Sequence, residues 1–148
     1  MKSRRFASRY RQNASKLHKR VGDILQAPGS PFRNFKIYQE YPVSRVNPEY
    51  HNNSHKFDWV ILDLYLVIEA HGEQHYNPVA FGGMDYEEAT ECFLQQRHRD
   101  NSKMDAAVEA GFTYIVIPYH DYKLVDADYI WNLYQKCYNP NQVVDKKE

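Results

Sequence analysis

The sequence predicts an α/β domain in which a mixed central β-sheet is flanked by helices. Three observations lead there. Four short runs, "FKIYQEYPV", "FDWVIL", "YLVIEAH" and "FTYIVIPY", carry strand-type patterns. Stretches with apolar residues at helical spacing lie before, between and after them. A long helical stretch separates the third run from the fourth, which is the connection a parallel strand pair needs.

In chain order, "ASKLHKRVGDILQ" (14–26) sets Leu17, Val21, Ile24 and Leu25 on one helical face, and "APGSP" ends it. "FKIYQEYPV" (35–43) alternates as a strand. After the polar loop "NPEYHNNSHK", only "DL" parts "FDWVIL" from "YLVIEAH", so a hairpin turning about Asp63 and Leu64 is expected. The loop "NPVAFGGM" leads into a helix over about 86–110 that stops at Gly111. "FTYIVIPY" (112–119) is the most apolar strand, and "DADYIWNLYQKCY" (126–138) is a closing helix with an acidic cap. Its aromatics, Tyr129, Trp131 and Tyr134, are expected in the core.

A length of 148 residues with 43% hydrophobic content suits one core and is short for two ordinary domains. The expected organisation is a basic arm with its helix (1–30) and an α/β core (31–148). Cys92 and Cys137 lie far apart and outside any C-x-x-C pair, which points away from a disulfide framework or a cysteine zinc site. The apolar runs are too short for a membrane span, and the N-terminus has no apolar signal segment. A soluble, cytoplasmic protein with no membrane partner is expected.

The net charge of zero conceals an asymmetry. Lys2, Arg4, Arg5, Arg9, Arg11, Lys16, Lys19 and Arg20 put eight positive charges and no acid in the first 20 residues, leaving 11 basic against 19 acidic on the remaining 128. A basic arm on an acidic body is suited to gripping a polyanion, because Lys and Arg neutralise phosphates and release counterions. A solvated, frayed terminus has the same composition, so the chemistry elsewhere must decide.

That chemistry is concentrated in "VILDLYLVIEAHGEQHY" (60–76), where an apolar strand runs into Glu69, His71, Glu73 and His75. Strand alternation places Glu69 and His71 on one face, continuing that of Tyr65 and Val67. A hairpin about Asp63 and Leu64 sets Asp58 close to Glu69. Carboxylates converging in this way suit Mg²⁺ or Mn²⁺, which keep waters for a phosphate-bearing substrate. On the long helix, Ala89, Phe93, Met104, Ala107 and Val108 form an apolar stripe in which Asp100 occupies a core-facing place. A carboxylate there needs a partner, and an imidazole held by it would be a general base. Lys103, one turn on, reads as an exposed helix lysine able to touch a phosphate. Glu40 reads as a solvated strand-edge charge, and His98 and His120 as surface or strand-end histidines.

Asp58, "IEAHGEQHY" and "RHRDNSKMDAAVEAGFTYIVIPY" together resemble the PD-(D/E)XK nuclease superfamily, most closely the branch of very-short-patch repair endonucleases and related homing endonucleases. The resemblance covers roughly residues 35–120 and implies a restriction-endonuclease-like three-layer core. It implies that Asp58 binds the metal, that the Ala70 carbonyl is a further ligand, and that His71-Gly72 supplies a catalytic His. His75 then matches the second His, and Asp100 the helical Asp that orients a His. Glu69 supplies the acid of the wider superfamily, so "E-A-H" stands in place of E-x-K. The cysteine zinc site of the short-patch enzymes is absent.

The expected function is a Mg²⁺-dependent (or Mn²⁺-dependent) DNA endonuclease, monomeric or homodimeric, with no small-molecule cofactor. Asp58, Glu69 and Ala70 would hold the metal, and Glu69, His71, His75 and Asp100 would do the catalytic work. Arg4, Arg5, Arg9, Arg11, Lys16, Lys19, Arg20 and Lys103 would contact the nucleic-acid backbone. Alternatives are a non-catalytic nucleic-acid-binding protein, a nuclease for branched DNA or RNA, and a zinc-stabilised module using His51, His55, His71 and His75.

Overall fold

The structure is a computed structural model and describes residues 10–80 and 82–138. The chain runs α1 (Lys16–Gln26), β1 (Tyr38–Pro42), α2 (Val43–Val46), β2 (Lys56–Ile61), β3 (Leu66–His71), α3 (Tyr86–Glu109), β4 (Thr113–Pro118) and α4 (Ala127–Lys136). One four-stranded sheet has the order β1-β2-β3-β4. Its first two pairings are antiparallel, and β3 pairs with β4 in parallel. This is the expected α/β architecture, a mixed sheet between helical layers. No helix among the described residues is long and apolar enough to cross a membrane.

Both sheet faces are covered, which explains why β3 reads as a nearly continuous apolar run. On one face Trp59, Ile61, Leu66, Ile68, Ile115 and Ile117 pack with Leu17, Val21 and Leu25 of α1 and Ile130 and Tyr134 of α4. On the other, Phe57, Val60 and Val67 pack with Ala106 and Ala107 of α3 and Val43 and Val46 of α2. Helix α1 is therefore a layer of the core, and a boundary at residue 30 would cut through packed side chains. Gly22 permits its close approach, since a Cβ there would strike the Trp59 ring and the Tyr10 hydroxyl.

Local chemistry fixes the helix ends. Asp85 and Glu88 form a reciprocal capping box at the start of α3. At its end Gly111 takes a φ of 88°. The Gly111 N–H donates to the Val108 carbonyl, and that of Phe112 to Ala107, both at 3.0 Å, which closes the helix as a Schellman motif. Asp126 caps α4 by accepting from the Tyr129 N–H at 2.8 Å.

The expected hairpin register is the observed one. Ile61 pairs with Leu66, Val60 with Val67 and Trp59 with Ile68, and a short 3₁₀ turn over Leu62–Leu64 makes the bend. Pairing of β2 with β3 stops there, one step before Asp58 would face Glu69.

Candidate functional site

Asp58 lies where the sheet is interrupted on both sides. Towards β1, Gln39 pairs with Trp59 and Tyr41 with Phe57, but Glu40, opposite Asp58, has a φ of 51°. Phe57 and Trp59 pack on opposite faces although they are two residues apart. The alternation of β2 is thus broken at Asp58. Towards β3 the ladder gives way to side chains: the Asp58 N–H donates to Glu69 Oε2, and the Ala70 N–H donates to Asp58 Oδ2, each at 2.7 Å. Two carboxylates from neighbouring strands therefore close the fork between them.

Each carboxylate has a cationic or cation-forming partner. Glu69, only 2% exposed, holds Lys103 of α3 at 2.7 Å through Oε1. Burial and then the neighbouring Asp58 push the Glu69 carboxyl up, with Lys103 acting against both. On the other side of the sheet His18 of α1 is buried and stacked on Trp59 at 4.8 Å. It places Nδ1 3.4 Å from Asp58 Oδ1 and Nε2 2.9 Å from Gln39 Oε1. Burial lowers the His18 pKa, but Asp58, with Gln39 and Glu40 adding to it, outweighs burial and the net shift is upward. For Asp58, burial is likewise outweighed by the His18 and Ala70 hydrogen bonds, and its carboxyl is held down.

Next to this fork stands a second group. His71, at the end of β3, stacks on His75 with ring centroids 3.9 Å apart and planes 11° apart. His75 Nδ1 meets Asp100 Oδ2 at 2.8 Å, and the Gln96 amide donates to Asp100 Oδ1 at 2.9 Å. An Nδ1–H bonded to this carboxylate leaves His75 Nε2 as the basic atom. Burial, then His75, lowers the His71 pKa to about 4, so the ring is neutral near pH 7. His71 Nε2 is buried with no hydrogen-bond partner among the described residues. A buried polar atom is costly in that state unless a ligand meets it.

The buried, neutral His71 makes stability depend on pH. Its unfolded value is about 6.5, so between pH 6.5 and about 4 the unfolded chain binds the extra proton, and stability falls as pH falls. The maximum slope from this group is about 1.4 kcal/mol per pH unit. The raised pKa of His18 has the opposite sign, and its contribution is complete below pH 6.5 and lost only above it. Urea titrations of wild type and His71→Phe should therefore diverge between pH 6.5 and 4.5, with the variant showing the shallower loss.

The predicted site residues are thus largely brought together, with corrections. Glu69 is not an open metal ligand: both of its oxygens are engaged, by Lys103 and by the Asp58 N–H. The oxygens of Asp58 are engaged too, by the Ala70 N–H and His18, but its side chain is half-buried at the rim where Glu69 is sealed, so it is the carboxylate that a hard cation such as Mg²⁺ or Mn²⁺ could reach. Ala70 is tied to it through its N–H. Among the described residues, the three-ligand grouping close enough for an ion is His71, His75 and Asp100, with ligating atoms within 4.8 Å of one another. Its nitrogen-rich donors suit Mn²⁺ or Zn²⁺ better than Mg²⁺. His51 and His55 stay outside it, and His55 bonds the Tyr50 hydroxyl at 2.6 Å.

Lys103 is not a free surface lysine, because its side chain is 11% exposed and paired with Glu69. Met104 and Val108, expected to face the core, are 39% and 44% exposed. The inward side of α3 instead passes through Gln96, Asp100, Lys103 and Ala107, since the helix crosses the polar site at mid-length. Glu40 is not merely solvated: it pairs with Arg11 at 2.7 Å. Arg20 donates to the Val125 carbonyl at 3.0 Å, so it is anchored to the body. Arg4, Arg5 and Arg9 lie outside the described residues. His18 was not anticipated, although its spacing from Val21 and Leu25 shares their face.

No protein-family model matches the chain, and no curated protein matches it significantly.

Proposed function

We propose that the chain is a metal-dependent endonuclease hydrolysing DNA phosphodiesters. The observation that carries this reading is the chain of contacts at the β2–β3 fork: the Asp58 carboxylate accepts the Ala70 N–H, and the next residue, His71, stacks on His75, which bonds Asp100. Hydrolysis of a phosphodiester needs a base, a means of neutralising charge at phosphorus and a proton for the leaving oxygen. His75, its Nδ1 fixed by Asp100, offers Nε2 to take a proton from water. His71 presents a neutral ring whose unpartnered Nε2, carrying the proton, would donate a hydrogen bond to a phosphate oxygen, and the proton that His75 takes from water would be the one returned, through solvent, to the leaving oxygen. The buried Lys103–Glu69 pair holds α3, and with it Asp100, against the strand carrying His71. A Mg²⁺ or Mn²⁺ ion held by Asp58 would supply Lewis acidity at the scissile phosphate. The basic residues of the N-terminal region would supply sequence-independent grip on the backbone.

The test is incubation with supercoiled plasmid, and with single-stranded and branched DNA, in Mg²⁺, Mn²⁺ or EDTA. One site per chain cuts one strand, so nicked circles are expected before linear product, with none in EDTA. Salt-sensitive binding without cleavage of any substrate in either metal would leave a non-catalytic nucleic-acid-binding protein.

A further inference from the structure

A run of aromatic rings starts at the buried His71, inside the candidate site, and passes over partly exposed tyrosines to a basic groove. The His71 ring lies 6.2 Å from that of Tyr76, and Tyr76 lies 5.9 Å from Tyr119 and 6.1 Å from His120. Topology places them together: β3 and β4 are parallel, so the turns that follow them, Glu73–His75 and Tyr119–Asp121, emerge at the same end of the sheet. Core packing does not account for these rings. Tyr76 is 39% exposed and Tyr119 37%.

The run continues into positive charge. The Tyr122 N–H donates to the Tyr119 carbonyl at 3.2 Å, and that turn brings the Tyr122 ring to 5.1 Å from the Arg20 guanidinium carbon. Arg20 and Tyr122, with Lys16 and Lys19, line a cavity of about 350 Å³ on α1. The cations lie off the helix face that Leu17, Val21 and Leu25 bury. One acid also lines the groove, Asp23, and it already accepts from the Tyr10 hydroxyl at 3.0 Å.

Partly exposed rings, joined to a cationic groove, are what a single nucleic-acid strand uses: each unpaired base offers a face for stacking, and each phosphate a charge. In a duplex the base faces are covered by their neighbours, and offering them to tyrosines requires unstacking. We infer that this edge is a track for an unpaired nucleic-acid strand, with bases stacking on Tyr76 and Tyr119 and phosphates lying along the α1 groove. The nuclease reading supplies the reason why the track starts at His71, and the inference rests on that reading for its biological sense. The chemistry of the track is independent of it.

The test is fluorescence anisotropy of the full chain with a labelled single strand and with its blunt duplex, in EDTA so that nothing is cut. The single strand should bind at least about tenfold tighter. Tyr119→Ala should weaken the single strand about 5- to 100-fold and leave the duplex unchanged, while Tyr119→Trp should retain affinity. Lys19→Glu should weaken both and flatten the salt dependence. Equal affinity for the two forms overturns the inference, and so does an equal loss on both in Tyr119→Ala. Because binding is read without cleavage, a protein that prefers the single strand but never cuts defeats the nuclease reading alone.

Discussion

Replacing Lys103 with methionine should cost the fold about 3–5 kcal/mol near pH 8, read as a fall in the urea midpoint. The size follows from where the pair sits. Glu69 is 2% exposed, and its Oε1 is held by the Lys103 ammonium at 2.7 Å. Removing the ammonium leaves a carboxylate beside Asp58 with little water to replace its partner. Methionine keeps the apolar stem against the Phe57 ring, where Lys103 Nζ lies 5.6 Å from the centroid, so the loss reports charge more than packing.

The sign with pH is also fixed. Without Lys103 the folded pKa of Glu69 rises further above its unfolded value, because burial and Asp58 then act unopposed. An acid shifted that way loses stability as pH rises above the unfolded value; wild type, with Glu69 raised to about 7, levels off there while the variant goes on losing stability, so the penalty should grow from about pH 7 upward. The double variant Lys103→Met/Glu69→Gln removes the stranded charge and should recover most of the loss. A single variant as stable as wild type at pH 8 would mean that water reaches Glu69 and screens it.

Why Asp58, Glu69 and His71 were legible while Lys103 and His18 were not comes down to periodicity. The two-residue bend "DL" leaves little freedom in register, and a register slip would flip every side chain of a buried strand. Hence Asp58 had to lie near Glu69, and Glu69 and His71 had to share a face. The long helix is different. Its phase was taken from apolar residues, but the helix spans a polar site, so the residues facing the sheet at mid-helix are Gln96, Asp100 and Lys103. Asp100 was found because a lone acid interrupts an apolar stripe. Lys103, three residues on, shares that face and was hidden because a helix lysine is usually solvated.

The break in β2 had no sequence signal at all. Glu40 takes a left-handed φ that disfavours side chains with a Cβ, and nothing in "YQEYP" marks it. That distortion lets the strand present Asp58 at the fork instead of pairing it. Arg11 binds Glu40 at 2.7 Å and His18 of α1 contacts Asp58 at 3.4 Å, so each of the two opposed residues is braced from the N-terminal side of the chain. Charge counting assigns Arg11 to the nucleic-acid backbone, yet it is paired with an anion within the protein.

Asp58→Asn is expected to abolish metal-dependent nicking while keeping the fold, and the choice of asparagine matters. The Asp58 side chain has two tasks: Oδ2 accepts the Ala70 N–H at 2.7 Å, and the negative charge faces His18 and the site. Alanine removes both tasks and leaves the part-buried Ala70 N–H unmet, a loss of about 1 kcal/mol or more that would confuse inactivity with partial unfolding. Asparagine keeps an acceptor for Ala70 and removes only the charge. Its loss should therefore appear as plasmid left supercoiled in Mg²⁺ and Mn²⁺. The variant also forgoes the stabilisation of an Asp whose folded pKa is depressed, so its urea midpoint should match wild type only below that folded pKa, and the separation should be complete by about pH 4 and constant above it. Nicking at the wild-type rate by a folded Asp58→Asn chain would remove Asp58 from the chemistry, leaving it as a clasp between strands.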